Sequence, residues 1–243
     1  MKKILALFLA LAMTFALVAC GDKASDEGQT NTDGDTTNQT SGETIRIGIA
    51  APLTGTSAAY GELMVDGAQI AIDEVNANGG VNGKMLELVK MDDKNDPSEA
   101  ALVAQRFCDD DTITAVIAHG GSTNTLAGAP IYEAAGMPFI GPSSNNPTLT
   151  ELGYEYFVRL GLRDDRCGNQ VVAMIVNNLG IKKLGVIYAN NDYGVGNLEA
   201  ATAAATSLGA EVVDSETYNP GLEKDFSTII NKLQKADCEG VVI

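Results

Sequence analysis

Short apolar runs alternate with stretches of helical periodicity along most of this 243-residue chain. Glycines such as Gly79, Gly180 and Gly209 follow the helical stretches, at positions typical of helix ends. Strands are predicted at 44–51, 85–91, 115–118, 137–140, 156–160, 184–189, 211–216 and 238–243. Helices are predicted at 60–78, 99–108, 122–135, 165–179, 198–208 and 224–235. This alternation predicts an α/β fold with parallel sheets and right-handed crossovers.

Residues 115–146 predict where a ligand would bind. One apolar run ends at 119–122 (HGGS), and the next ends at 141–145 (GPSSN). Neighbouring parallel strands would deliver both hydroxyl-rich turns to the sheet edge where ligands bind in open α/β sheets. Ser122 or Thr123 can cap the helix between the runs, and backbone N–H groups at a helix N-terminus suit a carboxylate. We therefore expect half of a binding site for a small polar molecule such as an amino acid.

The first 43 residues are typical of a secretory signal peptide followed by a linker rather than of a folded domain. Residues 1–20 have a basic start and an apolar stretch too short to cross a bilayer, as in secretory signal peptides. Residues 17–21 (LVACG) resemble the bacterial lipobox, in which Cys20 would receive a lipid; an ordinary signal peptide with a chance cysteine is the alternative. Residues 21–43 are mostly polar or glycine, which predicts a flexible linker. The expected location is the extracytoplasmic face of the cell membrane, through a lipid anchor.

Charge and cysteine content narrow the classes of partner. The formal net charge is −16, which argues against nucleic acid and against an anionic membrane surface as partners.

If Cys20 is lipidated, Cys108, Cys167 and Cys238 remain, so at least one thiol outside the cytoplasm is unpaired. No two cysteines have CxxC spacing, so we expect no metal or redox site and interpret these side chains as small buried packing groups.

The sequence gives little support for an enzymatic function. The His119-Gly120-Gly121 sequence is similar to an esterase oxyanion turn, but the chain has a single histidine and lacks the G-x-S-x-G sequence of a nucleophile elbow. We therefore expect His119 to be structural. Asp92 and Asp93 are expected to cap or pair locally rather than to hold a cation, and no G-x-G-x-x-G follows a strand. No catalytic residue, metal or cofactor is predicted.

The chain divides near 156–164 into two αβ blocks. The second block, from residue 161, ends inside an apolar run at Ile243. We expect this block to be an incomplete lobe and the chain to be truncated at its C-terminal end.

Five short motifs together resemble the branched-chain amino acid (Leu/Ile/Val) binding proteins of ABC transporters. Each motif is weak alone, but they occur in the family's order between Thr44 and Ile243. The motifs are 76–84 (NANGGVNGK), 92–97 (DDKNDP), 142–147 (PSSNNP), 191–194 (NDYG) and 223–226 (EKDF).

The resemblance implies the type I periplasmic binding protein fold, in which two Rossmann-like lobes enclose the ligand in a cleft. The N-terminal ligand-binding lobe would cover 44–160 and a partial C-terminal lobe 161–243. Ser122 matches a position that binds the ligand carboxylate, and Ser143 matches one whose carbonyl accepts from the ammonium. Asn145 stands where the family commonly has a ligand-binding threonine, which is a departure. Tyr60 and Tyr193 match aromatic residues that contact the ligand or border the cleft.

The resemblance also implies a function. The protein would be a solute-binding lipoprotein that binds an amino acid, branched-chain or similar, and presents it to the permease subunits of an ABC importer. An extracellular ligand-sensing receptor domain of the same fold and a non-functional fragment are the alternatives.

Overall fold

The computed structural model describes residues 44–243. The predicted signal peptide, the lipobox cysteine Cys20 and the linker at 21–43 lie outside the described residues.

Strands and helices alternate through the described residues, as the sequence pattern predicts. The strands are β1 Ile45–Ala51, β2 Leu86–Asp92, β3 Ile113–Ile117, β4 Phe139–Gly141, β5 Phe157–Arg159, β6 Lys183–Ala189, β7 Glu211–Tyr218 and β8 Gly240–Val242. The helices are α1 Ala58–Ala77, α2 Pro97–Cys108, α3 Ser122–Ala135, α4 Asp164–Ala173, α5 Asp192–Ser207 and α6 Ser227–Lys235. Helix α4 continues as a π turn at Met174–Asn178, and short 3₁₀ turns occupy Gly55–Ser57 and Pro147–Thr150.

Two parallel sheets organise these elements. The first sheet has the strand order β2-β1-β3-β4-β5 and the second has the order β7-β6-β8. Tyr132, Phe139 and Phe157 stack in series with ring centroids 4.9 Å apart at each step, which fills the first core. Val172 and Leu184 are fully buried in the separate core of the second sheet. The predicted α/β class with parallel sheets is confirmed.

The start of α5 and the cap of α3 differ from the sequence prediction. Helix α5 begins at Asp192 rather than at residue 198, because the Asn191 side chain accepts from the Gly194 N–H at 2.9 Å and caps the helix there. The predicted capping of α3 by Ser122 or Thr123 is wrong. Gly121 is the N-cap residue in an extended conformation, which makes Ser122 the first helical residue and leaves its hydroxyl for another contact.

The three cysteines in the described part of the chain are all free and partly buried. This confirms the expectation of an unpaired thiol, although none of the three is as fully enclosed as predicted.

Between residues 44 and 243, no helix combines the length and apolarity needed to cross a membrane. The same residues contain no cluster of three or more side chains suited to holding a metal ion.

Candidate ligand-binding site

The turns that follow β3 and β4 lie side by side, because these strands are adjacent and parallel. The hydroxyls of Thr125 and Ser144 share a hydrogen bond between the two turns. The Asn146 N–H donates to Ser122 Oγ at 3.2 Å, which makes a second tie. The carboxyl ends of two strands are therefore fastened into one polar surface, as the sequence predicts.

A buried polar network supports these turns from behind. His119 Nδ1 lies 2.8 Å from Asp93 Oδ2, and both side chains are fully buried. The His119 N–H donates to Thr125 Oγ1 at 3.2 Å, and Nε2 lies 3.4 Å from the Tyr132 hydroxyl. A Cβ at Gly128 would come within 2.7 Å of Nε2, so this glycine makes room for the imidazole. His119 is structural, as predicted. Asp92 and Asp93 cap locally, as predicted, by accepting from the N–H groups of Lys94 and Asn95, and Asp93 also pairs with His119, 26 positions away.

A cavity of about 300 Å³ opens in front of the turns. Its volume is at the lower end of the range for small-molecule pockets. No residue of its wall carries a formal charge, and the polar groups are amides, hydroxyls and main-chain atoms. The wall consists of Asn95, Gly120, Gly121, Ser122, Thr123, Asn124, Ser143, Asn145, Asn191 and Tyr193.

Four of the five predicted ligand-binding residues line this cavity: Ser122, Ser143, Asn145 and Tyr193. Tyr60 is outside the cavity wall, but its hydroxyl donates to Ser143 Oγ at 2.6 Å, and its side chain is 41% exposed. Sequence reasoning did not name three of the wall's asparagines as site residues: Asn95, Asn124 and Asn191.

Helix α3 points its N-terminus at the cavity. The first N–H groups of a helix have no acceptor within the helix, and they favour an anion. Ser122 adds a hydroxyl whose oxygen already accepts the Asn146 N–H, so its hydrogen is free to be donated outward. This part of the wall can therefore bind a carboxylate through neutral donors.

Asn145 is held in one orientation by the turn before α4. A Cβ at Gly161 would lie 2.4 Å from Asn145 Oδ1, so the amide oxygen packs against the glycine. The Asn145 carbonyl also accepts from the Asp164 N–H at 3.0 Å. Asn145 Oδ1 is buried without a hydrogen-bond partner among residues 44–243, and the amide nitrogen is a potential donor to a ligand.

The start of α5 is hydrogen-bonded to the turns of the first sheet. The Asp192 N–H donates to Thr123 Oγ1 at 3.0 Å, and Asn146 Nδ2 donates to the Asp192 carbonyl at 2.7 Å. The Thr123 and Asn146 side chains therefore bind the main-chain N–H and carbonyl of Asp192, the residue before Tyr193 in the cavity wall.

A buried carboxyl group lies at the start of α4, in the segment between the last strand of the first sheet and the first strand of the second. Asp164 is only 2% exposed, its Oδ2 has no hydrogen-bond partner among residues 44–243, and burial raises its pKa to about 6, against the opposing effect of Arg159. Arg159 donates from Nη2 to the Asn146 carbonyl at 2.8 Å rather than to this carboxyl group. The ionised form of Asp164 is thus less favourable in the folded protein than in the unfolded chain.

We predict that Asp164 makes the protein less stable as the pH rises from about 4 to 7. The folded-state pKa is near 6 and the ordinary value is 3.8, so the folded protein binds more protons in this window and loses stability as they dissociate. Asp164→Asn should raise the free energy of unfolding at pH 7 by about 2 kcal/mol and leave it nearly unchanged at pH 4. Urea titrations at both pH values test this, and an equal effect at both would contradict it.

Comparison with known proteins identifies the family. Residues 44–243 match the periplasmic binding protein family. The chain belongs to this family. An amino acid binding protein of Pseudomonas aeruginosa is 39% identical over 197 residues, which are 81% of this chain and 52% of that protein. A leucine-, isoleucine-, valine-, threonine- and alanine-binding protein of the same species is 35% identical, over 82% of this chain and 53% of its own length. The chain spans about half the length of the curated relatives it matches.

Solved structures of the family share the architecture. The leucine binding protein LivK of Thermotoga maritima superposes with a TM-score of 0.74 at 30% identity, over 82% of this chain and 55% of that one. LivJ of Streptococcus pneumoniae, solved with isoleucine, gives 0.72 at 31% identity, over 82% and 56%. These similarities confirm the predicted resemblance to branched-chain amino acid binding proteins and the type I fold over the part of it that the chain covers.

Proposed function

We propose that this protein binds an amino acid, branched-chain or similar, in the polar cavity and serves as the solute-binding component of an ABC importer. The observation that carries the proposal is the uncharged, hydrogen-bonding wall at the N-terminus of α3. The printed names of the relatives support it, since they are amino acid binding proteins. The single histidine of the chain is enclosed between Asp93 and Tyr132, which agrees with binding without chemical turnover.

A zwitterion fits the groups on the wall. We assign the α-carboxylate to the Ser122 hydroxyl, the free N–H groups of α3 and the Asn145 amide. We assign the α-ammonium to the Ser143 carbonyl, which accepts no hydrogen bond from the residues of 44–243. Each charged end of a buried ligand needs several partners, because an unpaired buried charge costs several kcal/mol, so the ammonium needs acceptors in addition to the Ser143 carbonyl. Tyr193 borders the ligand from the second lobe, and Tyr60 fixes Ser143 through its hydroxyl.

Closure of the lobes would couple binding to delivery. The main-chain N–H and carbonyl of Asp192 contact Thr123 and Asn146 across the lobes, so these contacts exist only when the lobes are together. A ligand favours closure only through contacts that differ between the open and closed forms. The closed form would be presented to the permease, and lipidation at Cys20, which stays a prediction, would keep the protein at the extracytoplasmic face.

We predict that Thr123→Val weakens ligand binding about fivefold. Valine matches threonine in shape but cannot accept the Asp192 N–H, and a hydrogen bond contributes about 1 kcal/mol. Thr123→Ser is the control, because serine retains the hydroxyl. Calorimetric titration of the three proteins checks this. Equal affinities would show that the Thr123–Asp192 contact does not stabilise the closed form.

Thermal unfolding against single amino acids tests the proposed function. At about one hundred times its dissociation constant, a bound ligand should stabilise the protein by roughly 2.7 kcal/mol. N-acetyl and amide derivatives of the same amino acid lose one charged end and should give no shift. A shift by an aliphatic amino acid alone supports the zwitterion site. Equal shifts by the blocked derivatives, or no shift by any amino acid, would contradict it.

A further inference from the structure

Asn124 is a buried polar residue of the cavity wall that the proposed head-group contacts do not use. It lies in the first turn of α3 and is only 3% exposed. Its side-chain nitrogen is buried and has no hydrogen-bond partner within the described chain. A buried donor without an acceptor destabilises the folded protein, so such groups in native proteins call for a reason.

The carboxylate of the ligand does not need this donor. An ionised carboxylate offers about four acceptor sites. The N–H groups of Ser122 and Thr123, the Ser122 hydroxyl and the Asn145 amide already provide four donors on the same wall. Asn124 therefore remains available for a different acceptor on the same ligand.

We propose that Asn124 is a specificity-determining residue that donates to a hydrogen-bond acceptor on the ligand's side chain. The site would then favour amino acids with a hydroxyl or amide side chain over purely aliphatic ones of the same shape. This inference rests on the proposed function, and it names the side-chain class that the same cavity takes.

Threonine and valine are the sharpest pair of probes, since they differ in shape only by a hydroxyl in place of a methyl group. We expect threonine to bind the wild-type protein about fivefold more tightly than valine, as one hydrogen bond predicts. In Asn124→Leu, which has a similar volume but no donor, the ratio of the two dissociation constants should fall to about one or invert. The affinity for valine should hold or improve in this variant, because no unpaired donor remains.

Calorimetric titration of both amino acids into each variant gives the ratios, and the ratio is a readout that a purely structural role would not change. Asn124→Ala is the second variant, in case leucine is too apolar for the site to fold. Asn231→Leu, at an exposed asparagine of α6, is the matched control and should keep the wild-type ratio.

The outcomes separate the two claims. If wild type binds valine as tightly as threonine, or if Asn124→Leu weakens both equally, Asn124 does not read the side chain and the inference is wrong, while amino-acid binding stands. If wild type binds neither of them nor any other amino acid, the proposed function fails and the inference fails with it.

Discussion

Replacing His119 by leucine will lower the free energy of unfolding by about 3 kcal/mol or more. His119 and Asp93 are both fully buried, and their side chains meet at 2.8 Å. Leucine fills much of the space but leaves the Asp93 carboxyl group without its imidazole partner, and breaking a buried pair on one side typically costs about 3–5 kcal/mol. Chemical denaturation followed by circular dichroism measures the change.

A double variant separates the loss of the pair from the loss of packing. His119→Leu combined with Asp93→Leu removes both polar groups, so it should be more stable than the sum of the single effects implies. The Asp93 side chain also accepts from the Asn95 N–H at 3.0 Å, so part of the loss should remain. Additive effects of the two substitutions would show that the pair has no coupling, contrary to the structure.

Replacing Gly121 by leucine will weaken ligand binding by about a hundredfold or more and will lower stability only slightly, because leucine is a poorer N-cap residue than glycine. Gly121 lines the cavity, and its extended backbone, with φ of −173°, is one that any residue adopts. A Cβ built there meets no atom within 4 Å, so the glycine is not needed for the fold and leaves open space at the ligand. A leucine side chain would occupy part of a cavity of only about 300 Å³.

Gly67 offers a matched control for this substitution. It is exposed on α1, and a Cβ there also meets nothing within 4 Å. Gly67→Leu should leave binding unchanged and slightly stabilise the helix. Thermal melts and calorimetric titrations of both variants are the measurement. Wild-type affinity in Gly121→Leu would show that the ligand does not bind in this cavity.

Local sequence patterns predict the fold well because the signals that define its strands and helices lie within short stretches of the chain. Apolar runs and helix-ending glycines mark the alternation, and neighbouring parallel strands necessarily bring the turns at 119–122 and 141–145 together. The start of α5 differs from the prediction because the apolar pattern begins at Leu198, whereas the Asn191 cap begins the helix at Asp192.

The parts of the site that sequence did not predict depend on tertiary packing. The Asp93–His119 pair links residues 26 positions apart, and no local sequence signal marks Asn124 as a buried residue. The local sequence indicates only a helix-capping role for Thr123, and its contact with Asp192 joins elements 69 residues apart. No periodicity or short motif reports such contacts.

A crystal structure of the protein with a bound amino acid tests the central claim most directly. A second cavity of about 540 Å³, lined by apolar residues such as Phe226, Leu233 and Val241, gives the ligand a real alternative. We predict that the α-carboxylate lies within hydrogen-bond distance of the Ser122 hydroxyl and N–H, with the α-ammonium at the Ser143 carbonyl. A ligand found in the apolar cavity, or one whose carboxylate does not contact α3, would contradict the account.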